Sequence, residues 1–154
     1  MKYAYYGGSF DLFHVGHLKA IRHAKKIARN RGCKLMVGVN TDSLYRNYKS
    51  KEPVIPYKYR KMIIEALGTV DKVIPKTTFS DLKTIKKYKI DTFIICEEWV
   101  KEKQPEIKYL KRNGGKTYVT PYFKGISASE LRDKAIKNYR DHNKNLCEEC
   151  HKKL

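Results

Sequence analysis

Residues 2–17 read KYAYYGGSFDLFHVGH, and this stretch decides the fold. Residues 2–6 predict a strand, because tyrosine and alanine follow one another there without a breaker. Beyond the histidines the pattern changes, since apolar residues recur at helical spacing, at Leu18, Ile21, Ala24 and Ala28. The sequence therefore predicts a strand that enters a helix through a glycine-containing loop.

The loop between the predicted strand and helix has the composition of a phosphate-binding site. Glycines such as Gly7 and Gly8 let backbone N–H groups approach an anion closely. A helix N-terminus adds unpaired donors and the positive end of the helix dipole. His14 and His17 add imidazoles that the dipole favours in the neutral form, as further hydrogen-bond donors. A single histidine or a glycine pair is ordinarily a surface or turn feature, but this ordered combination favours an anion site.

Strand-like and helix-like segments alternate along the rest of the chain. Strands are predicted at residues 34–39, 70–74, 92–95 and 117–120, and helices at 57–67, 80–88, 106–113 and 127–139. Repeated strand–helix–strand units favour a parallel sheet covered on both faces, so we expect a single doubly wound, Rossmann-like α/β domain. Ligands in such sheets bind beyond the C-terminal strand ends at the topological switch point, and the histidines follow the first strand there.

Length and composition set broad limits on the function. The 154 residues suit one domain with its own core, and we assign residues 1–140 to that domain and 141–154 to a polar C-terminal tail. Because the sequence has neither an apolar run of membrane-spanning length nor a signal-peptide core, we expect a cytoplasmic protein. The tail contains the pattern of c-type haem attachment, at Cys147, Cys150 and His151. We favour a tail that binds no ligand over haem attachment or over half of a zinc site that a partner chain would complete.

The net charge of +18, from 34 basic and 16 acidic residues, suits a polyanionic ligand such as a nucleotide, a nucleic acid or an anionic lipid surface. A generally lysine-rich composition explains the same excess equally well. The sequence contains no arginine-rich cluster interleaved with aromatic residues, of the kind that single-strand binders use. Charge alone therefore does not predict a nucleic-acid-binding protein.

Three further segments carry polar residues near the expected ligand edge. Lys49 and Lys51 lie in a polar connection after the second strand, where they would close over a triphosphate or form an ordinary solvated loop. Asp42 follows the same strand and would bind ribose or alcohol hydroxyls, or equally form an Asx turn or helix cap. Ser127, with Glu130 three residues later, predicts a capping box at the start of the last helix, where a second anion could bind.

The segments GSFD at 8–11 and HVGH at 14–17 together resemble the G-x-F-D-x-x-H-x-G-H signature of the cytidylyltransferase-like nucleotidyltransferases. The likeness extends to the glycerol-3-phosphate cytidylyltransferases, whose G-D-D-W segment near the base pocket resembles residues 96–99, CEEW. It implies a magnesium-dependent transfer of CMP from CTP to a small phosphorylated alcohol, first of all glycerol 3-phosphate, with release of pyrophosphate. It also implies a homodimer that takes no specific nucleic acid as a partner.

The resemblance implies roles for individual residues. His14, His17, Lys49 and Lys51 would be catalytic, and Asp42 together with Lys49 would bind the acceptor. The residues that would bind the nucleotide are Gly8, Ser9, Phe10, Asp11, Gly16, Arg60, Trp99, Gly125, Ile126, Ser127 and Ser129. Mg²⁺ would accompany the triphosphate without a protein metal site, and Asp11 would orient either the loop or this ion.

The chain departs from the family pattern at two places. Tyr122, Phe123 and Lys124 stand where the family has Arg, Thr and Glu, which removes a bidentate phosphate ligand whose charge Lys124 would replace by hypothesis. Cys96 replaces a glycine beside the base pocket, which leaves base and acceptor open. The alternatives are therefore transfer to phosphoethanolamine or another phospho-alcohol, an ATP-using adenylyltransferase, a nucleotide-binding protein without turnover, and, last, a non-specific nucleic-acid binder.

Overall fold

The structure is a computed structural model that describes residues 2–151, with side chains described for residues 2–142. Within this range the strands are β1 Tyr3–Gly8, β2 Lys34–Asn40, β3 Lys72–Lys76, β4 Thr92–Cys96 and β5 Lys116–Thr120. The α-helices are α1 Val15–Asn30, α2 Asp42–Lys49, α3 Tyr57–Glu65, α4 Leu82–Lys87, α5 Gln104–Arg112 and α6 Ala128–His151, and a short 3₁₀ turn spans Glu97–Trp99. No described helix is both long enough and apolar enough to cross a membrane.

The described strands form one parallel sheet in the order β3-β2-β1-β4-β5. The chain moves outward from β1 to β2 and β3, then returns to place β4 on the other side of β1. The sheet order therefore reverses between β1 and β4, and the crevice at their C-terminal ends is the switch point. This arrangement confirms the predicted doubly wound α/β fold.

The core has two parts, one on each face of the sheet. Alternation along β1 sends Ala4 and Tyr6 to one face and Tyr5 to the other. On the first face, α1 packs its helical stripe of Ala20, Ile21, Ala24 and Ala28 against the strands. A fully buried side chain such as Ile21 contributes about 1.5–3 kcal/mol. This packing fixes the start of α1 at the edge where the histidines lie.

Several boundaries differ from the sequence-based expectation. The third strand spans residues 72–76 where 70–74 was predicted, and several other ends shift by one or two residues. Two larger differences concern α2 and α6. The connection after β2 contains α2, so Lys49 ends a helix, where a polar loop was expected. Thr41 begins this helix, because its Oγ1 accepts a hydrogen bond from the backbone N–H of Leu44 at 3.3 Å. The last helix continues to His151, beyond the predicted end at 139, and the division between residues 1–140 and 141–154 stays a prediction. The predicted tail residues Cys147, Cys150 and His151 lie outside the range whose side chains the structure describes.

Candidate active site

A cavity of about 230 Å³, called here the larger cavity, opens at the switch point between the loop after β1, the end of α2, the 3₁₀ turn and the start of α6. It brings together residues that are distant in sequence because all these segments follow C-terminal strand ends. The predicted site residues in its wall are Gly8, Ser9, Phe10, Asp11, His14, Gly16, His17, Lys49, Lys51, Trp99, Ser127 and Ser129. Asp42, Arg60, Gly125 and Ile126 are not in this wall.

The two histidines are locked at the N-terminus of α1. His14 is the N-cap, and its Nδ1 accepts a hydrogen bond from the backbone N–H of Gly16 at 3.1 Å. The backbone N–H of His14 in turn donates to Nδ1 of His17 at 3.4 Å. Because both Nδ1 atoms accept, each ring carries its proton on Nε2 and can donate from there. A Cβ at position 16 would lie only 2.9 Å from His14 Cε1, so this cap requires glycine.

Both rings are held in the neutral form. Burial, with a smaller contribution from neighbouring His14, lowers the pKa of His17 to about 4, and the charge of Asp11 only partly opposes this shift. Burial also lowers the pKa of His14, against the charge of Glu130. The ring centroids lie 3.9 Å apart, a spacing that disfavours two positive charges. Near neutral pH the cavity therefore presents two neutral Nε2–H donors.

The loop that carries the histidines has a strained backbone that Asp11 holds in place. Phe10 and Leu12 have φ values of 54° and 45°, in the left-handed region that costs a non-glycine residue about 1–3 kcal/mol. The carboxylate of Asp11 is almost fully buried and accepts from the backbone N–H groups of Val54 at 3.0 Å and Ile55 at 2.8 Å. Asp11 is therefore positioned to orient the loop, the first of the two roles that the resemblance implied.

Arg60 and Asp42 lie behind this loop. Arg60 is fully buried, and its guanidinium donates to the carbonyl oxygens of Ile55 and Ser9 and to Asp42 Oδ1 at 2.7 Å. Asp42 also accepts from the backbone N–H of Tyr57 at the start of α3, at 2.9 Å. Both side chains thus form their hydrogen bonds with other groups of the protein. The geometry favours a scaffold role over the nucleotide and acceptor contacts that the resemblance implied.

The two predicted lysines are exposed at the rim of the larger cavity. Neither Lys49 nor Lys51 forms an ion pair with a described residue. The ammonium group of Lys49 lies 5.5 Å from the ring centroid of Tyr48. Ser50 between them adopts the left-handed conformation that ends α2, with φ 52°. The pair thus stays available to a ligand that carries negative charge.

The start of α6 forms the opposite wall and contains a cation that the sequence analysis missed. Ser127 Oγ accepts from the backbone N–H of Glu130 at 3.1 Å, as the predicted cap requires. Arg132 lies in the wall, and its guanidinium donates to Asp11 Oδ2 at 3.1 Å. Lys124, the hypothetical replacement for the missing arginine, is not in the wall. The spacing could have revealed Arg132, because residues 129 and 132 share one helix face.

A second cavity of about 80 Å³, called here the smaller cavity, adjoins the larger one. The residues that line both cavities are Gly7, Gly8, Ser9, Tyr48, Cys96 and Trp99. Tyr48, Phe79 and Trp99 form an aromatic cluster with ring centroids 5.8–6.3 Å apart. Gly8, Ser9, Cys96 and Trp99 in its wall belong to motifs that the sequence analysis singled out. No motif indicated Asn40, Lys76, Asp81 or Lys103, which come from segments that are distant in sequence. The site thus offers two adjoining compartments, the larger with hydrogen-bond donors and cations for an anion.

Comparisons with known proteins agree with this geometry. A family model described as cytidylyltransferase-like matches residues 5–134. A glycerol-3-phosphate cytidylyltransferase from Bacillus spizizenii is 35% identical over 126 residues, which cover 81% of this chain and 90% of that protein. A probable ethanolamine-phosphate cytidylyltransferase from Encephalitozoon cuniculi is 28% identical, over 92% of this chain and 42% of that protein. The solved structure of a lipopolysaccharide core biosynthesis protein from Thermoplasma volcanium superposes with a TM-score of 0.62 at 25% identity, covering 82% of this chain and 99% of that one.

Proposed function

The chain belongs to the cytidylyltransferase-like family, and from that premise we propose that it transfers CMP from CTP to glycerol 3-phosphate, giving CDP-glycerol and pyrophosphate. It is a nucleotidyltransferase. The observation that carries the proposal is the pair of neutral Nε2–H donors of His14 and His17 at the N-terminus of α1, inside the larger cavity. A neutral donor pair at a helix N-terminus suits a phosphate group whose negative charge grows during reaction.

The reaction needs no covalent intermediate with the protein. An oxygen of the acceptor's phosphate attacks the α-phosphorus of CTP, and a new P–O bond forms. The bond between the α-phosphorus and its bridging oxygen breaks, and pyrophosphate leaves with the electron pair. Because the attacking phosphate is already an anion, no strong base is required, and catalysis depends on positioning and charge neutralisation. His14 and His17 would donate to the transferring phosphoryl group as its charge rises.

Cations around the larger cavity would neutralise the triphosphate. Lys49 and Lys51 are free to close over it from the rim, since a lysine ammonium is a compact charge on a flexible stem. Arg132 would contribute a planar fork that can bind two phosphate oxygens, at the wall where the family arginine is missing. The hydroxyl of Ser129 and the start of α6 face the same cavity.

We propose that Mg²⁺ arrives on the triphosphate. Within residues 2–142 no group of three or more His, Cys, Asp or Glu side chains is arranged to hold a metal ion, and the carboxylate oxygens of Asp11 already accept hydrogen bonds from the protein. Mg²⁺ typically keeps several water ligands and binds largely through substrate phosphates. When bound, it would neutralise charge on the departing pyrophosphate.

Two further features, the compartment and the oligomeric state, belong to the proposal. We place the reaction in the cytoplasm, where nucleoside triphosphates are available. We also expect a homodimer, and exposed apolar side chains on one face of α3, Tyr59 and Met62, are compatible with a subunit contact. Sedimentation equilibrium would measure the mass directly, and a monomer at micromolar concentration would contradict the dimer.

A pyrophosphate-release assay tests the proposed function. CTP or ATP would be offered with Mg²⁺ and, in turn, glycerol 3-phosphate, ethanolamine phosphate and choline phosphate. We expect release with CTP and glycerol 3-phosphate, and the product would be identified as CDP-glycerol by mass spectrometry. Release with ATP alone would replace the proposal by an adenylyltransferase. Nucleotide binding without release from any pair would indicate a binding protein without turnover.

A further inference from the structure

The outer side of α1, which faces away from the sheet, lines a third cavity. Its volume is about 280 Å³, and it lies between the second half of α1 and the connection from α3 to β3. We call it the basic cavity, and its wall consists of Arg22, Lys25, Lys26, Arg29, Asn30 and Thr69. It shares no wall residue with the larger or the smaller cavity. A ligand in the basic cavity would therefore be separate from the ligands of the candidate active site.

The positive charge of the basic cavity is not balanced within the described part of the chain. Four of the six described wall residues are cations, and none of the six carries a carboxylate. Arg22, Lys26 and Arg29 are exposed and form no ion pair with a described residue. Lys25 pairs with Asp71, which lies outside the wall. Three cations around the cavity thus stay available to an anionic ligand.

The placement of these cations is unfavourable for α1 by itself. Residues 22, 25, 26 and 29 are separated by three or four positions, so like charges lie next to each other on the helix surface. α1 contains no Asp or Glu, whereas each of the other described helices with eight or more residues contains at least one. The helix dipole stabilises a cation in the last turn, and that turn contains only Arg29 of the four. Binding of an anion would relieve the repulsion among all of them.

The composition of the wall narrows the class of anion. An arginine guanidinium can bind two phosphate oxygens at once, and a lysine ammonium adds a compact charge. Arg22 and Arg29 lie two turns apart on α1, about 10 Å, with Lys26 between them, so one short chain of phosphates can contact all three. The described wall has no aromatic ring on which a nucleobase could stack, and no large apolar side chain that could insert into a lipid bilayer. These features favour a compact anion over a nucleic acid or a membrane surface.

We propose that the basic cavity binds a condensed phosphate, a chain of two or more linked phosphate groups, through Arg22, Lys26 and Arg29. The chain would be free, as in inorganic pyrophosphate or polyphosphate, or carried by a nucleotide. Several adjacent negative charges on one small molecule neutralise the three cations together, which an anion of single charge does not. The proposal goes beyond the proposed function and does not depend on it, because the two sites have no wall residue in common.

Inorganic tripolyphosphate is the first probe, because it carries the phosphate chain without a base or a sugar. Titrated into the isotope-labelled full chain at about 0.15 M NaCl, it should shift the amide NMR signals of residues 22–30 and of Thr69. Shifts at residues 8–17 would report the larger cavity separately. Citrate, a compact anion without phosphate, should bind residues 22–30 at least about tenfold more weakly. Shifts confined to the larger cavity, or equal affinities for the two anions, would overturn the proposal.

Two further titrations identify the source of the phosphate chain and exclude larger partners. If CTP shifts residues 22–30 as tripolyphosphate does, the cavity accepts the chain on a nucleotide, and if only tripolyphosphate does so, the cavity takes the free chain. A short DNA duplex and vesicles that contain phosphatidylglycerol are offered to the same protein. If either of these shifts residues 22–30 and tripolyphosphate does not, the outer side of α1 is a nucleic-acid or membrane surface and the proposal is wrong.

A double variant, Arg22→Gln with Arg29→Gln, tests the residues themselves, because it removes both guanidinium groups and keeps exposed polar side chains. We expect the Kd of tripolyphosphate at residues 22–30 to rise at least about tenfold. The matched control is Lys137→Gln with Arg140→Gln, two exposed cations on α6, which removes the same charge and should leave this Kd within about twofold. Equal Kd values in the two variants would mean that binding follows net charge alone, and would overturn the proposal. If the first variant fails to fold, the comparison with citrate in the unmodified protein decides.

Discussion

The two cavities meet beside Gly8 and Ser9, yet their positively charged side chains are paired differently. The larger cavity combines neutral imidazoles with rim lysines that have no acidic partner among the described residues. In the smaller cavity, the buried lysines Lys76 and Lys103 are both paired with Asp81. In the larger cavity the rim lysines are thus free for a ligand, although Arg132 pairs with Asp11, whereas the lysines of the smaller cavity are paired within the protein.

This difference follows from the proposed ligand of the larger cavity and from the burial of the smaller one. A triphosphate brings several negative charges, so the larger cavity gains from cations that are unpaired before the ligand arrives. In the smaller cavity the lysines are buried, and an unbalanced buried charge there would cost several kcal/mol. The contrast also explains why the lysines at the rim are exposed and those of the smaller cavity are not. Four changes test it, taken from the largest expected effect to the smallest.

Asp81→Ala removes the carboxylate that balances the smaller cavity. Lys76 and Lys103 would remain buried beside each other without their shared partner, so we expect the free energy of unfolding to fall by about 3–5 kcal/mol. Urea denaturation followed by circular dichroism measures this change. Asp133→Ala, an exposed aspartate on α6, is the matched control and should shift stability by less than about 0.5 kcal/mol. If Asp81→Ala lowers the free energy of unfolding as little as the control does, the pairing of Asp81 with the two lysines does not stabilise the fold.

His17→Ala removes a neutral donor from the larger cavity. We expect kcat to fall by about 10²-fold or more, the usual scale for one lost transition-state donor, with a smaller change in the dissociation constant of CTP. Steady-state kinetics and calorimetry measure the two quantities. His23→Ala is the control, since His23 contacts Thr120 and is absent from the wall of the larger cavity. Activity within a few-fold of the parent would remove His17 from the catalytic groups.

Arg132→Ala tests whether this arginine takes the place of the missing family residue. We expect KM for CTP to rise about tenfold, because one charge-assisted contact to the triphosphate would be lost. Arg132→Lys should recover only part of the affinity, since lysine keeps the charge without the planar fork. Arg140→Ala on the exposed part of α6 should leave KM unchanged. If Arg132→Ala and Arg140→Ala behave alike, the triphosphate is held without Arg132.

Much of the larger cavity could be predicted because several of its residues form a recognisable pattern within one short segment. Gly8, Asp11, His14 and His17 occupy one short segment between a strand and a helix, and each element carries its own periodicity. The alternation of strand-like and helix-like segments predicted a parallel sheet, and ligands bind such sheets at the switch point. The sequence thus predicted both the fold and the wall that holds the histidines.

The smaller cavity and the scaffold could not be predicted because they depend on contacts between distant segments. Arg60 is fully buried against the carbonyl of Ser9, and nothing in its local sequence distinguishes it from an exposed cation. Asp42 was open between a turn or helix cap and a ligand contact. In the structure Thr41 caps α2, and Asp42 pairs with Arg60 and with the backbone N–H of Tyr57, a contact between segments that are distant in sequence. Likewise, Lys76 and Lys103 become a pair only when β3 and the start of α5 converge on Asp81.

The pH dependence of stability is the smallest of the four effects and concerns the larger cavity. Burial lowers the pKa of His17 to about 4, whereas an unfolded histidine titrates near 6.5. Between these values the unfolded chain binds a proton that the folded chain does not, so acidification favours unfolding. We expect His17 to contribute about 1 kcal/mol of lost stability between pH 7.5 and pH 6. Urea denaturation of the parent and of His17→Asn at both pH values isolates this contribution, because every other titrating group is common to the two. If both proteins lose the same stability, His17 is not held neutral by burial, and the contrast between the two cavities must rest on the lysines alone.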